Sequence, residues 1–266
     1  LYTWSERELR VAKSTHRILD LLDSMSLSIS SCSAYNSGHS SLFSRSSRFL
    51  SATFFILGWI ARRCPHLVKE IQARGHEVAS HGDSHFLCTD MDSDNLEQDL
   101  MQSKALLEDL SGEEVKGYRA PSFSVNETIL RRIRKVGYTY DSSYNSFALH
   151  PRYGQMEFHK AISKNGIAVQ VREGFWEIPI SNLGLAKKVI PWGGGGYFRL
   201  IPSALFTLGV RKIVHTDGTY VLYLHPWEFD PDQPRIKEVS WQFGFRHYVN
   251  LKKTKKKLER LIQSMS

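Results

Sequence analysis

Gly75-His76-Glu77-Val78-Ala79-Ser80-His81-Gly82-Asp83-Ser84-His85 couples a short buried-strand pattern to two histidines four residues apart. If the chain turns after Ser80, residues i and i+4 lie on one face, and their ring nitrogens can converge on one metal ion. Two unrelated surface histidines would show the same spacing, so the flanking sequence has to decide.

Outward from this stretch, strand and helix patterns alternate. On the amino-terminal side, Ala52-Thr53-Phe54-Phe55-Ile56-Leu57 is a short apolar run ending at Gly58; Pro65 then opens a helix with Leu67, Val68 and Ile71 that Gly75 closes. On the other side a helix is predicted from about Ser93 to Leu110, with Leu96, Leu100, Leu107 and Leu110 inward and Gly112 as its stop. Tyr118-Arg119-Ala120 reads as a strand, and Ser124-Val125-Asn126-Glu127 is a capping box that introduces a helix from Ile129 to Val136. Tyr138 to Asp141, Phe175 to Ile180 and Thr219 to Leu224 are further strand candidates, and Ser5 to Met25 reads as an amphipathic helix. This alternation predicts an α/β fold with a mostly parallel sheet, open or closed into a barrel, whose function collects at the carboxyl ends of the strands. His81, Arg119, Asp141 and His225 each fall at or just beyond such an end.

The formal charge of +8 raises the question of nucleic acid or a membrane surface. Much of the excess lies in Lys252-Lys253-Thr254-Lys255-Lys256-Lys257-Leu258-Glu259-Arg260, where Leu251, Leu258, Leu261 and Ile262 form an apolar stripe at helical spacing. Residues 246–266 are therefore predicted as a basic helix packed on the domain, and no nucleic-acid partner is expected. Cys32, Cys64 and Cys88 are odd in number and lack Cys-x2-Cys spacing, which argues against a disulfide framework and a thiolate zinc site. No stretch approaches the roughly 18 apolar residues of a membrane span, and no charged-then-apolar leader pattern opens the chain. Residues 26–51 hold 12 serines without a clear period. They are predicted as a disordered or foreign insertion between a first helix over 1–25 and a main domain over 52–245. Cys32 and His39 inside it have no companion at ligand spacing.

Asp83-Ser84 inside His81-x3-His85, Arg119-Ala120-Pro121-Ser122-Phe123, Tyr140-Asp141-Ser142-Ser143 and Tyr223-Leu224-His225-Pro226-Trp227 follow one another in a recognisable order. In that order they resemble the polysaccharide deacetylases, carbohydrate esterases with a NodB homology domain. The stretches 52–59, Trp176-Glu177-Ile178-Pro179, 193–200 and 225–231 are similar to the branch associated with bacterial exopolysaccharide systems. The resemblance covers about Glu6 to Met25 and then Ala52 to the end. It implies a distorted (β/α)7-type barrel, NodB-like, and metal-dependent removal of N-acetyl groups from an amino-sugar polysaccharide or oligosaccharide.

An amide is a poor electrophile, so this reaction needs a divalent ion held by neutral imidazoles and a carboxylate, plus a proton donor for the departing amine. The resemblance makes His81 and His85 the imidazole ligands, with zinc expected and cobalt as the alternative, and makes Ser84 a brace for their loop. It makes His225 the acid, Asp141 the group that orients it, and Arg119 the partner of a catalytic carboxylate. Backbone N–H groups around Ser122 are expected at the oxyanion. The Gly193 to Gly196 run lacks a P-loop lysine and hydroxyl and reads as a tight rim loop placing Tyr197 and Arg199; with Trp227 these are substrate candidates. Gly82 stands where a His-Glu-x2-His peptidase needs its glutamate, which excludes that class.

One part of the family pattern has no counterpart. A first motif of closely spaced acidic residues should precede the Arg10 to Leu22 helix and supply the base and the third ligand, but Leu1-Tyr2-Thr3-Trp4-Ser5 contains no aspartate. Asp20 and Asp23 lie within or at the end of that helix and do not match. The sequence therefore predicts an amino-terminally truncated deacetylase of impaired activity, with an inactive carbohydrate-binding pseudoenzyme as the alternative.

Overall fold

Short runs rich in aromatic and β-branched residues build one sheet, as their apolar character requires. In the computed structural model the described residues are 8–35, 49–147, 162–185, 188–236 and 239–265, with side chains excepted over 28–35. Strands β1 (Thr53–Ile56), β2 (Glu77–Ser80), β3 (Gly117–Tyr118) and β4 (Tyr140–Asp141) pair in parallel, in that order. Val78, Ala79 and Ser80 of β2 are buried in succession, the mark of a strand covered on both faces. Strands β5 (Ser163–Asn165) and β6 (Ala168–Arg172) form an antiparallel extension that returns through β7 (Phe175–Glu177), and β7 pairs in parallel with β4.

The sheet order is β1-β2-β3-β4-β7-β6-β5, so among the described residues hydrogen bonds do not close the expected barrel. At Gly174, with φ of +68°, the chain reverses into a tight hairpin that joins β6 to β7. The strand expected over Thr219–Leu224 is likewise reduced to one bridge between Tyr223 and Gly194. There the Val221 N–H is taken by the Ser181 hydroxyl at 2.8 Å, so a side chain replaces a ladder bond.

Helices α2 (Gly58–Arg63), α3 (Pro65–Ala73), α4 (Ser93–Ser111) and α5 (Glu127–Lys135) accompany the parallel strands. Asp92 caps α4 by accepting from the N–H groups of Asp94 and Asn95, and Asn126 caps α5 by accepting from Ile129 N–H at 3.0 Å. Leu96, Leu100 and Leu107 bury one face of α4, as their spacing predicts. The hairpin β8 (Asn182–Leu185) and β9 (Lys188–Pro191) stands apart from the main sheet.

The remaining elements are α1 (Val11–Tyr35), α6 (Gly195–Leu200), α7 (Ser203–Asp217), α8 (Trp241–Tyr248) and α9 (Thr254–Met265). Two compact units result: Ala52–Gly194 with Leu208–Tyr223, which contains the sheet, and Leu1–Ser51 with Gly195–Thr207 and Leu224–Ser266. The predicted single domain over 52–245 is thus divided, because 195–207 and 224–245 group with the terminal helices. Helix α1 also corrects the expectation of disorder from Ser26, since it continues to Tyr35. The Ser26 hydroxyl donates back to Leu22 carbonyl oxygen at 2.9 Å and accepts from Leu50 N–H at 2.9 Å, which shows how a serine is accommodated in a helix. The rest of the Ser-rich segment, residues 36–48 with His39, and the side chain of Cys32 lie outside the described residues.

In the second unit Leu258 and Leu261 of α9 are buried, so the basic helix presents its apolar stripe inward. Lys257 is drawn in with them and donates to the carbonyls of Phe198 and Ile201. No described helix is long and apolar enough to cross a membrane.

Leu100→Ala, at a fully buried position, is expected to cost about 2–5 kcal/mol. Asn126→Ala, a lost cap, is expected to cost about 1 kcal/mol. Denaturant midpoints with an unchanged slope check both, and equal costs would contradict the assigned packing.

Candidate functional site

The parallel register decides what stands beside what at the strand ends. Ser80 pairs with Tyr118, Tyr118 with Asp141, and Asp141 with Glu177. One residue further on, His81 N–H donates to Ile56, Arg119 N–H to Ser80, Ser142 N–H to Tyr118 and Ile178 N–H to Asp141. His81, Arg119 and Ser142 therefore emerge side by side in the sheet unit. A side-chain relay follows the same row: His81 Nδ1 lies 2.6 Å from the Arg119 carbonyl oxygen, Arg119 Nε donates to Ser142 O at 2.8 Å, and Ser142 Oγ donates to Ile178 O at 2.8 Å.

A carbonyl oxygen can only accept, so the contact to Arg119 O makes Nδ1 of His81 a protonated nitrogen, and in the neutral ring the lone pair is then on Nε2. The His85 ring lies beside it, with centroids 5.2 Å apart and planes at 74°. No helix brings the two together: the chain bends after Ser80, and His85 adopts φ of +61°, a conformation costly for a residue with a Cβ. The loop is braced from beneath. Asp83 Oδ2 accepts from Arg62 at 2.6 Å and from Ser84 Oγ at 3.1 Å, while Asp83 N–H donates to Asp99 at 2.9 Å. Gly58 cannot carry a side chain here, since a Cβ would stand 2.1 Å from Asp83 Oδ1. Ser84 thus bonds within the loop, as expected of a brace.

The Arg119 guanidinium donates to both oxygens of Ser142 and lies 4.1 Å over the Phe55 ring. Burial holds its pKa down to about 10, partly offset by Asp141. Asp141 is fully buried and accepts from Ser143 Oγ at 2.7 Å and Ser143 N–H at 3.0 Å. Beside it Glu177, also fully buried, accepts from Tyr144 N–H at 2.9 Å. Burial and then the neighbouring Asp141 push the Glu177 carboxyl well above its ordinary value, so this pair shares a proton that Glu177 carries. Ser122 and Phe123 follow at φ of +52° and +58° in a tight turn, where the N–H groups of Phe123 and Ser124 are spent on Ala120 and Pro121 carbonyls.

The second unit holds the other candidates. His225 opens a 3-10 turn, Pro226–Phe229, and its Nδ1 lies 3.0 Å from Glu228 Oε1, which also accepts the His225 N–H at 3.0 Å. Within this unit Glu228 is a carboxylate on this imidazole. Arg199 is 3% exposed, which corrects its assignment as a substrate contact. It donates to Glu228 Oε2 at 2.8 Å and to the carbonyls of Arg246, His247 and Val249. The glycine run is likewise not an open rim loop. At Gly195, where α6 begins, a Cβ would stand 2.0 Å from Glu228 Oε2. Tyr197 remains 39% exposed. Trp227 stacks on His247 at 4.0 Å and on His225 at 5.8 Å, so part of its ring is engaged by protein.

Sequence reasoning passed over Glu177 and Glu228. The signal for Glu228 was present in its position three residues after His225, where a first-turn glutamate reaches back to the capping residue. Glu177 carried no such signal, because only the register sets it against Asp141. Among the described residues no group of three His, Cys, Asp or Glu side chains is arranged to hold a metal.

The Glu177 carboxyl has a folded-state pKa above its unfolded one, so the stability it contributes is complete below the ordinary value of 4.5 and is lost as pH rises through the raised value. Glu177→Gln imitates the protonated form and is expected to escape this loss. Thermal unfolding from pH 4.5 upward should show the variant gaining on the wild type; a constant difference would mean that the pair holds no proton.

Comparison with known proteins places this geometry in a family. Residues 47–140 match the family model described as polysaccharide deacetylase, and residues 142–266 match a domain of unknown function, DUF3473. The chain is 34% identical over 200 residues to a peptidoglycan deacetylase of Helicobacter pylori, covering 75% of this chain and 64% of that protein. It is 30% identical over 87 residues to a peptidoglycan-N-acetylglucosamine deacetylase of Bacillus cereus, covering 33% of this chain and 40% of that one. It therefore spans less than two thirds of either relative. A crystal structure from Mycobacterium smegmatis assigned as a polysaccharide deacetylase shares the fold, with a TM-score of 0.56 at 19% identity over 95% of this chain and 70% of that one. By this family model, residues 47–140 of the chain are a polysaccharide deacetylase domain.

Proposed function

We propose that this protein hydrolyses N-acetyl groups of an amino-sugar polysaccharide, with a divalent metal at His81 and His85 and with His225 as the proton donor. The observation that carries this reading is the His81 tautomer: donation from Nδ1 to Arg119 O turns Nε2 into a ligand nitrogen, next to the ring of His85. The two imidazoles fit two positions of a divalent site, zinc first and cobalt as the alternative. When bound, such an ion polarises the amide carbonyl and acidifies a water.

The chain's own residues supply the remainder. The His225 Nδ1–H rests on Glu228, so Nε2 is the nitrogen whose proton goes to the departing amine. The Ser122 N–H, presented by a left-handed turn, is the donor assigned to the oxyanion. Tyr197, partly exposed on α6, and Trp227 are the candidates for sugar contact. The relatives' names, a peptidoglycan deacetylase and a peptidoglycan-N-acetylglucosamine deacetylase, support an N-acetylated glycan as the substrate class.

A second reading, a carbohydrate-binding pseudoenzyme, is favoured by the lack of a third convergent ligand among the described residues. The two part in one assay of acetate release from an N-acetylated oligosaccharide with added zinc or cobalt. Turnover is expected, with His81→Ala and His225→Ala each lowering it about 10²-fold or more. Saccharide binding that persists with a chelator present, without acetate, would favour the pseudoenzyme.

A further inference from the structure

The geometry points to Glu228 as the positioning residue of His225, anchored in turn by Arg199, so that the imidazole keeps one orientation and one proton on Nδ1. The two carboxylate oxygens divide the work. Oε1 receives both the ring Nδ1 and the backbone N–H of His225 at 3.0 Å, and Oε2 receives Arg199 Nε at 2.8 Å. Glu228 and Arg199 side chains are each 1% exposed, whereas the His225 side chain is 53% exposed. A buried ion pair thus presents one outward-facing imidazole.

The pair cannot swing away from this duty. Arg199 is held by the carbonyls of Arg246, His247 and Val249, and Gly195 leaves room for the carboxylate where a Cβ would collide with it. Trp227 stacks on the His225 ring with planes at 21°, and the His247 ring stacks on Trp227 with planes at 13°, so the imidazole is also held in its plane. His247 itself is kept from protonation, first by burial and then by Arg199, and so adds little positive charge beside His225. Among the described residues of this unit, the charged and titratable groups around His225 include Glu228, Arg199 and His247. Burying Arg199 and Glu228 is expensive unless both are paired, which is why a positioning carboxylate here comes with its own cation.

The catalytic meaning of this arrangement rests on His225 as proton donor; its effect on the imidazole does not. The test is an NMR titration of the His225 ring protons, assigned by their loss in H225A, in the wild type, E228Q and the double variant R199M/E228Q. The double variant removes both buried charges and covers the case in which E228Q alone misfolds on an unpaired arginine. The expected result is a fall of at least tenfold in the proton affinity of His225 in a variant that folds, with the alkaline limb of the acetate-release profile moving by the same amount. An unchanged titration overturns the inference, even if H225A is inactive and the deacetylase reading stands. A shifted titration in a protein that releases no acetate leaves the inference standing and removes the reading.

Discussion

The parallel ladder from Ile56 through Ser80 and Tyr118 to Asp141 and Glu177 is the constraint on which the sheet unit's chemistry depends. A register shift of one residue would exchange the faces of a strand, moving His81 or Arg119 away from its neighbours. The relay from His81 to Arg119 O, and from Arg119 to Ser142 and Ile178, exists because all of these strands end in one row. The imidazole tautomer is therefore a property of the sheet before it is a property of the loop.

Both candidate clusters place an exposed or half-exposed imidazole on buried polar support, but they do so by different means. His81 uses a carbonyl oxygen, which can only accept and so places a proton on Nδ1. His225 uses a carboxylate that takes both its ring Nδ1 and its backbone N–H. The buried carboxyl pair of Asp141 and Glu177 belongs to neither scheme; it holds Ser143 and Tyr144 N–H groups and thereby the backbone just beyond β4.

Much of the α/β architecture could be read in advance, because Val78 and Ala79 and the leucines of α4 encode their elements within a few residues, although α5 is capped by Asn126 and not by Ser124 of the expected capping box. Strands β5 and β6, the hairpin β8–β9 and helices α6 to α8 escaped that reading. Their residues carry weak periodicity, and their pairing depends on distant partners such as Ser181 and Val221. The Ser-rich composition after Met25 pointed to disorder, yet back-bonding of Ser26 to Leu22 lets a helix continue where composition alone argues against it.

At the sites, sequence by itself determined which residue types stood at the candidate positions His81, His85, Arg119 and His225, since motif order and spacing are linear properties. Tertiary structure decided what those groups do to one another. It gave Arg119 to Ser142, withdrew Arg199 from the surface, and set Glu228 on His225. The physical reason is that hydrogen-bond partnership and desolvation depend on distances across the fold, and a one-dimensional pattern carries neither.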